Sequence, residues 1–219
     1  MEKNIWVILA AYNEEKHIGK VISKTKKFCP NIIVVDDGSR DNTHKIARKK
    51  GVIVLRHVVN LGKGAAVKTG CDFAVKKGAD ILVLMDADGQ HEPKEMPTFL
   101  NLLKRKDIIF GYRKFTKHMP FVFRFGNNVI NTATKILYGI KLKDTQCGYR
   151  VMTAKAYKKV KWRASDYAME SEMIANAGKH HLRYGESEVK TIYRERYKGT
   201  TILDGIKIVF NMLLWRFKK

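Results

Sequence analysis

Cysteine is too scarce here for disulfide chemistry. Cys29, Cys71 and Cys147 are odd in number and far apart. None forms a Cys-x-x-Cys pair, so neither a disulfide framework nor a thiolate zinc site is indicated, and a reducing cytoplasm is expected. Long apolar runs are missing too. The charge-free runs near the C-terminus are far shorter than the ~20 residues that cross a bilayer, which argues against a transmembrane helix. The opening "MEKNIWVILAAYNEE" starts with an acid and breaks at Tyr12-Asn13, so it reads as a strand rather than a leader. The common nucleotide signatures are absent as well. "NIWVILAA" is followed by "YNEE" and not by a Gly-x-Gly-x-x-Gly turn. "LGKGAA" has no glycine five residues before Gly62, and Gly64 stands where a P-loop needs Ser or Thr. Acidic residues are few: 21 against 43 basic ones, a net charge of +22 at pH 7.

Apolar residues are plentiful, at 45% of 219, enough to bury the core of one domain. The positive charge attracts polyanions, whether nucleic acid, anionic lipid headgroups or phosphorylated substrates. The acids are placed unevenly, with several in the short stretches after apolar segments in the first ninety residues. A basic body with a local acidic pocket suggests a bound cation and a phosphorylated partner.

Four apolar segments recur, "NIWVILAA", "NIIVVDD", "GVIVLR" and "DILVLMD", each followed by a stretch of helical character. Ile18, Val21 and Ile22 fall at helical spacing after the first. Asp41 can cap the second helix, which stops at Gly51. The third runs from the Gly62-Lys63-Gly64 turn to Gly78, and Pro93 opens the fourth, with Met96, Phe99, Leu100 and Leu103 on one face. A fifth strand is expected at 107–112. Alternating strands and helices predict an α/β fold with a doubly wound, mostly parallel, Rossmann-like sheet flanked by helices. In such sheets ligands bind beyond the carboxyl ends of the strands. Glu14, Asp36, Asp37, Asp86 and Asp88 all fall there.

Asp86 and Asp88 are separated only by Ala87 and follow an apolar run. Two carboxylates this close repel each other unless a cation lies between them. A solvated turn would explain one such pair but not three acidic clusters on one sheet edge. Mg²⁺ or Mn²⁺ takes one or two carboxylates plus substrate phosphates and can stabilise a diphosphate leaving group as a Lewis acid. The pair therefore suits a nucleotide-diphosphate sugar held through a divalent cation. Lys63 is a candidate phosphate contact, with a plain helix start as the alternative.

In order along the chain, "VILAAYNEE", "VVDDGSRDNT", "NLGKGAAVKTG", "MDADGQHEP", "FGYR", "DTQCGYRVM" and "YRERYKGTT" resemble the inverting nucleotide-sugar glycosyltransferases of the dolichol-phosphate mannose synthase type. The resemblance covers roughly residues 4–201 and implies the GT-A fold. It implies that Ala10, Tyr12 and Glu14 contact the nucleobase and ribose, with Asp36 and Asp37 continuing that pocket. Asp86 and Asp88 would serve the metal and diphosphate, supported by Gln90. Arg113 and Arg124 would clamp phosphate, and Asp88, Arg113, Arg124 and Asp144 form the expected catalytic set. Asp144, Gln146 and Arg150 would line the sugar and acceptor side, and Arg194 and Arg196 would lie in a loop over the site. Two departures stand out: Ala10 replaces the family's usual proline, and Gly199-Thr200-Thr201-Ile202 stands where Gly-x-Ser-Lys is common. The sugars implied are mannose from GDP-mannose first and glucose from UDP-glucose next.

A phosphate acceptor is already anionic at pH 7 and needs no general base. It needs cations, and Arg113, Arg124, Arg150, Arg194 and Arg196 offer them. The Gln-x-x-Arg-Trp motif of polysaccharide synthases is absent, since "NMLLWRF" places Trp before Arg. A polyprenyl (dolichyl) phosphate is therefore the expected acceptor. Residues 1–201 would form the transferase domain and 202–219 an amphipathic helix. Ile202, Ile206, Val209, Phe210, Leu213 and Phe217 recur there at helical spacing, with Trp215, Lys218 and Lys219 at the end. Such a helix suits an anionic membrane interface, or it could pack on the core. The expected location is cytoplasmic and peripheral, on the inner face of the membrane. The alternatives are a soluble transferase with a hydroxyl acceptor, using Glu170, Glu172 or Asp144 as base, and a basic nucleic-acid-binding protein. No motif supports nucleic acid as a partner, and oligomeric state is left open.

Overall fold

A computed structural model describes residues 3–114, 121–190 and 210–216, with backbone alone for 121–127. Seven strands form one sheet in the order β3-β2-β1-β4-β6-β5-β7. They are β1 (Ile5–Ala11), β2 (Ile32–Asp36), β3 (Ile53–Arg56), β4 (Ile81–Asp86), β5 (Ile108–Arg113), β6 (Arg150–Thr153) and β7 (Tyr184–Val189). The first five stand where the apolar segments predict them. All pairings are parallel except those of β6, which runs antiparallel between β4 and β5.

The helices are α1 (Ile18–Thr25), α2 (Thr43–Lys49), α3 (Lys63–Lys76), α4 (Met96–Leu103), α5 (Phe121–Tyr138), α6 (Ala154–Val160) and α7 (Ala168–Lys179). Side-chain alternation along the strands feeds two cores. Val7, Leu9, Val34, Val83 and Met85 pack against α1, α2 and α4, contributed through Ile18, Ile22, Ala47, Met96 and Phe99. On the other face Ile8, Ile33, Leu82, Leu84 and Phe110 meet α3, α6 and α7 through Ala66, Cys71, Tyr157, Met169 and Met173. Gly70 lets α3 lie close to the sheet, because a Cβ there would come within 2.6 Å of the Ile8 side chain. All three cysteines are buried and unpaired.

Chain order reverses between β1 and β4, whose neighbours lead away in opposite directions. That is the topological switch point, where a crevice opens beyond the strand ends. The register puts Ala10 beside Asp86 and Ala11 beside Asp36, so the first three acidic segments converge on that crevice.

Candidate active site

The β1 end is tied to the loop after β2. Asn13 donates its N–H to Ser39 Oγ at 2.9 Å, and Glu14 donates to Thr43 Oγ1 at 2.7 Å. Asp41 accepts from the Glu15 and Thr43 amides, doing the work expected of it at the start of α2. Tyr12 is left half exposed, and Glu14 pairs with His17 Nδ1 at 2.9 Å. Asp36 and Asp37, expected to continue that pocket, are both buried and engaged within the protein. Asp36 is fully buried, accepts from the Ser39 amide at 3.1 Å and sits 3.2 Å from Arg56 Nε. Asp37 accepts from the Leu61 and Gly62 amides at 3.0 and 2.8 Å and is paired at 2.7 Å with His57. Its oxygens shape the turn into α3.

That turn delivers Lys63 to the centre of the site. Its Nζ lies 2.7 Å from Asp86 Oδ1 and 2.9 Å from Glu170 Oε1, bridging β4 and α7. Burial opposes the ammonium charge, but Asp86 and then Glu170 outweigh it and raise the lysine above its ordinary value. Burial likewise opposes the Asp86 charge, yet Lys63 and His91 hold its carboxyl down to about 2. His91 is buried, and its Nδ1 accepts from the Asp86 amide at 3.3 Å. Burial keeps the ring neutral, lowering it to about 4. Gly148 faces the same carboxylate so closely that a Cβ would stand 2.4 Å from Asp86 Oδ2.

Asp88 differs from Asp86. Among the described residues no lysine or arginine forms an ion pair with it, and the Gln90 amide donates to its Oδ1 at 2.9 Å. Burial first, and the Asp86 charge second, push it up to about 6. One acid of the pair is thus neutralised internally while the other is short of a cation. Hard carboxylate oxygens in that state suit Mg²⁺ or Mn²⁺. The side chain of Gln90, two residues on, is a further oxygen donor.

Arg113, at the end of β5, is locked on Asp144: Nε donates to Oδ2 at 2.6 Å and Nη2 to Oδ1 at 3.1 Å. The Arg113 and Gln146 amides also donate to Asp144. Burial opposes its ionisation, but Arg113 keeps the carboxyl below the usual range. Gln146 reaches Ser171 Oγ at 3.1 Å. Arg150 does not line the crevice. It is buried, donates to the carbonyls of Cys147, Glu170 and Thr145, and lies over the Phe110 ring at 5.4 Å. Held by three backbone carbonyls and by Met173 Sδ at 3.3 Å, it fastens the 144–148 segment to α7. The side chain of Arg124, and Arg194 and Arg196 altogether, lie outside the described residues.

Sequence reasoning did not find the roles of Glu170, His91 and Gly148. Glu170 reads from the sequence only as a candidate base, and nothing in its spacing links it to Lys63 across more than a hundred residues. His91 lies in MDADGQHEP close after the Asp pair, which was a usable signal, whereas Gly148 lies in DTQCGYRVM far along the chain and reaches Asp86 only through the fold.

The sequence matches Glycosyl transferase family 2 over residues 6–161. The chain belongs to this family. It is 35% identical to a UDP-N-acetylglucosamine–dolichyl-phosphate N-acetylglucosaminyltransferase of Methanococcus voltae, over 100% of this chain and 98% of the relative. It is 28% identical to a polyprenol monophosphomannose synthase of Mycolicibacterium smegmatis, covering 95% and 85%. With these relatives the family 2 enzyme is of the dolichol-phosphate mannose synthase type. Among solved structures, glucosyl-3-phosphoglycerate synthase of Mycobacterium tuberculosis, in complex with Mn²⁺, UDP-glucose and phosphoglyceric acid, superposes with a TM-score of 0.74 at 19% identity, covering 96% of this chain and 79% of the other. The fold is GT-A, and the family 2 chain is a glycosyltransferase.

Proposed function

We propose that this glycosyltransferase moves a sugar from a nucleotide-diphosphate sugar to a polyprenyl phosphate at a membrane surface, by single displacement with inversion. The observation that carries this reading is that the three carboxylates weighed as a general base, Asp144, Glu170 and Glu172, are each already engaged within the protein. Asp144 is held ionised by Arg113. Glu172 accepts from the Arg163 and Ala164 amides, and Glu170 is committed to Lys63. A hydroxyl acceptor needs such a base, whereas a phosphate brings its own anionic oxygen. The bond from that oxygen to the anomeric carbon forms as the bond from that carbon to the diphosphate breaks.

Bound Mg²⁺ or Mn²⁺ would supply Lewis-acid stabilisation of charge on the departing diphosphate; Asp88 would hold it, with Gln90 beside it. Lys63 keeps Asp86 ionised and oriented. Ala10, Tyr12 and Glu14 border the nucleoside end. Arg113, set rigidly by Asp144, presents a fixed cation on the acceptor side. Arg124, Arg194 and Arg196 remain proposed phosphate contacts on the strength of the resemblance.

For the donor we favour a UDP-linked sugar, UDP-N-acetylglucosamine first, because the relative aligned end to end is named for it. GDP-mannose, which the resemblance put first, becomes the second reading, favoured by the more distant mannose-named relative, and UDP-glucose follows. Membrane attachment would be peripheral, on the cytoplasmic face. No helix among the described residues is long and apolar enough to cross a bilayer. Residues 210–216 are helical and expose Phe210, Leu213 and Leu214. The deciding experiment incubates pure protein, Mn²⁺ and polyprenyl phosphate with each labelled donor and extracts with organic solvent. Lipid-soluble label that requires the acceptor phosphate is expected. Equal transfer to the free polyprenol, or transfer only to soluble hydroxyl acceptors, overturns the reading.

A further inference from the structure

Three groups surround the Lys63 ammonium, and they come from two sides of the crevice. Asp86, at the end of β4, lies 2.7 Å from Nζ. Glu170, in the first turn of α7, lies at 2.9 Å, and the ring of Tyr167, the residue before that helix, is centred 5.6 Å away. Two of the three holds therefore belong to the α7 side, and one to the strand end that carries the Asp86–Asp88 pair. The two carboxylates are not used equally. Glu170 is only 3% exposed, yet its Oε2 is buried with no hydrogen-bond partner among the described residues. A buried carboxylate oxygen without a donor is costly.

That oxygen belongs to the carboxylate which already holds Lys63 through Oε1. An ammonium has three donors, so a small shift of Nζ away from Asp86 would give Glu170 a partner for each oxygen. Tyr167 would keep its place on the third side. The same shift would release Asp86. A second cation on Asp86 would drive it, because two positive charges at one carboxylate repel each other. The pair has reason to take such a cation. Among the described residues, no group of three His, Cys, Asp or Glu side chains is arranged to hold a metal ion. Asp88 stands short of a cation one residue from Asp86, and a hard divalent cation prefers carboxylate oxygens.

We propose that Lys63 is a place-holder for the divalent cation on Asp86, and that Glu170 is the positioning residue that receives Lys63 when Asp86 is released. Before loading, the ammonium keeps Asp86 and Asp88 from facing each other as two bare charges. After loading, Glu170 and Tyr167 retain Lys63 within the crevice, so its positive charge stays with the acid pair. Asp86 thereby joins Asp88 as a metal ligand. The inference rests on the reading of that pair as the metal site, and it adds why a buried glutamate on α7 points an unused oxygen at no one.

The test is the Mn²⁺ affinity of the full chain, measured by calorimetry after chelator treatment and without nucleotide sugar. Glu170→Gln removes the receiving charge and leaves the ammonium to Asp86, so Mn²⁺ should bind roughly tenfold more weakly. Lys63→Met combined with Glu170→Gln frees Asp86 and strands no buried charge. Net charge is unchanged in this double variant, so bulk electrostatics cannot account for its behaviour. It should bind Mn²⁺ roughly tenfold more tightly than wild type. The opposite signs separate this role from a structural one, since a pair that only braced α7 against β4 would weaken Mn²⁺ binding in both variants or in neither. Melting curves are run alongside; if the methionine version does not fold, Lys63→Gln with Glu170→Gln replaces it, with the same expectation. Mn²⁺ binding by the folded double variant that equals or falls below wild type overturns the proposal, as does unchanged binding by Glu170→Gln. Failure of the metal reading itself looks different: neither wild type nor variants would bind Mn²⁺, with or without nucleotide.

Discussion

Asp88 and His91 pull stability in opposite directions with pH. Asp88 is raised to about 6 by burial and then by Asp86, so its contribution is present at low pH and lost as pH rises through about 6 in the metal-free protein. His91 is lowered to about 4, burial outweighing Asp86. Its contribution is present above the ordinary value of 6.5 and is lost as pH falls toward 4. Asp88→Asn removes the first slope and leaves the second. Thermal melts without metal should therefore show the variant losing stability more steeply than wild type between pH 6 and 4; parallel curves would mean Asp88 does not titrate in this range. The same variant should lose transfer by a factor of over ~100 at saturating Mn²⁺, since charge stabilisation of a leaving group is typically worth ~3 kcal/mol or more. Retention of a tenth of the wild-type rate would remove Asp88 from the site. Arg150 makes the contrasting case. Lys cannot reproduce its fork of donors to three carbonyls, so Arg150→Lys should cost about 3 kcal/mol in urea unfolding, with the Michaelis constants of the folded enzyme little changed. A raised acceptor Michaelis constant at unchanged stability would put Arg150 back on the acceptor side. Sequence pattern could not separate Arg150 from Arg113. Both follow glycine-aromatic pairs, and only the structure shows that one faces carbonyls and the other the Asp144 carboxylate.

At the level of elements, β1 to β5 were legible because each is a short apolar run ahead of a helical stretch. β6 and β7 were not. β6 has only four residues, Arg150–Thr153, and antiparallel insertion between β4 and β5 leaves no βαβ signature. β7 reads "YGESEV", an edge strand with polar residues that resembles a loop in one dimension. This hidden part matters to the site, because the 144–148 segment leading into β6 is what closes on the end of β4. Gly148 is the contact point. Gly148→Ala would press a methyl group on the Asp86 carboxylate at 2.4 Å, against a partner that Lys63 holds in place. Overpacking of this kind costs about 1–3 kcal/mol, and here it would displace a functional carboxylate. Circular dichroism should remain native while Mn²⁺ affinity and transfer fall at least tenfold. Wild-type Mn²⁺ binding in the variant would show that the segment gives way instead.

For the whole molecule, the C-terminal helix decides between a membrane role and a core role, and the described part serves both. Met212 is fully buried and packs with Ile130, Tyr138, Ala168 and Ala175, joined by Trp215. Phe210, Leu213 and Leu214 on the other side are 61%, 43% and 45% exposed. Deleting the helix would therefore uncover the small cluster on α5 and α7 and confuse loss of stability with loss of membrane binding. Substituting the exposed set separates them. Phe210→Ser, Leu213→Ser and Leu214→Ser together remove apolar area that is already in water in the free protein, so the melting temperature should move by only a degree or two. On a bilayer the same side chains leave water, and at ~25 cal/mol/Å² a few of them supply a few kcal/mol. Partition onto anionic vesicles should accordingly drop by at least tenfold, and turnover on long-chain polyprenyl phosphate should fall with it. Turnover on a short water-soluble prenyl phosphate should hold, because no residue of the crevice is touched. Met212→Ser should do the reverse: it should lower the melting temperature by the cost of a buried cavity, about 2–5 kcal/mol, and leave the vesicle affinity of the folded fraction near wild type. If the exposed triple instead unfolds the protein, or if its vesicle binding is unchanged, this face does not meet the membrane, and attachment rests on the basic surface alone.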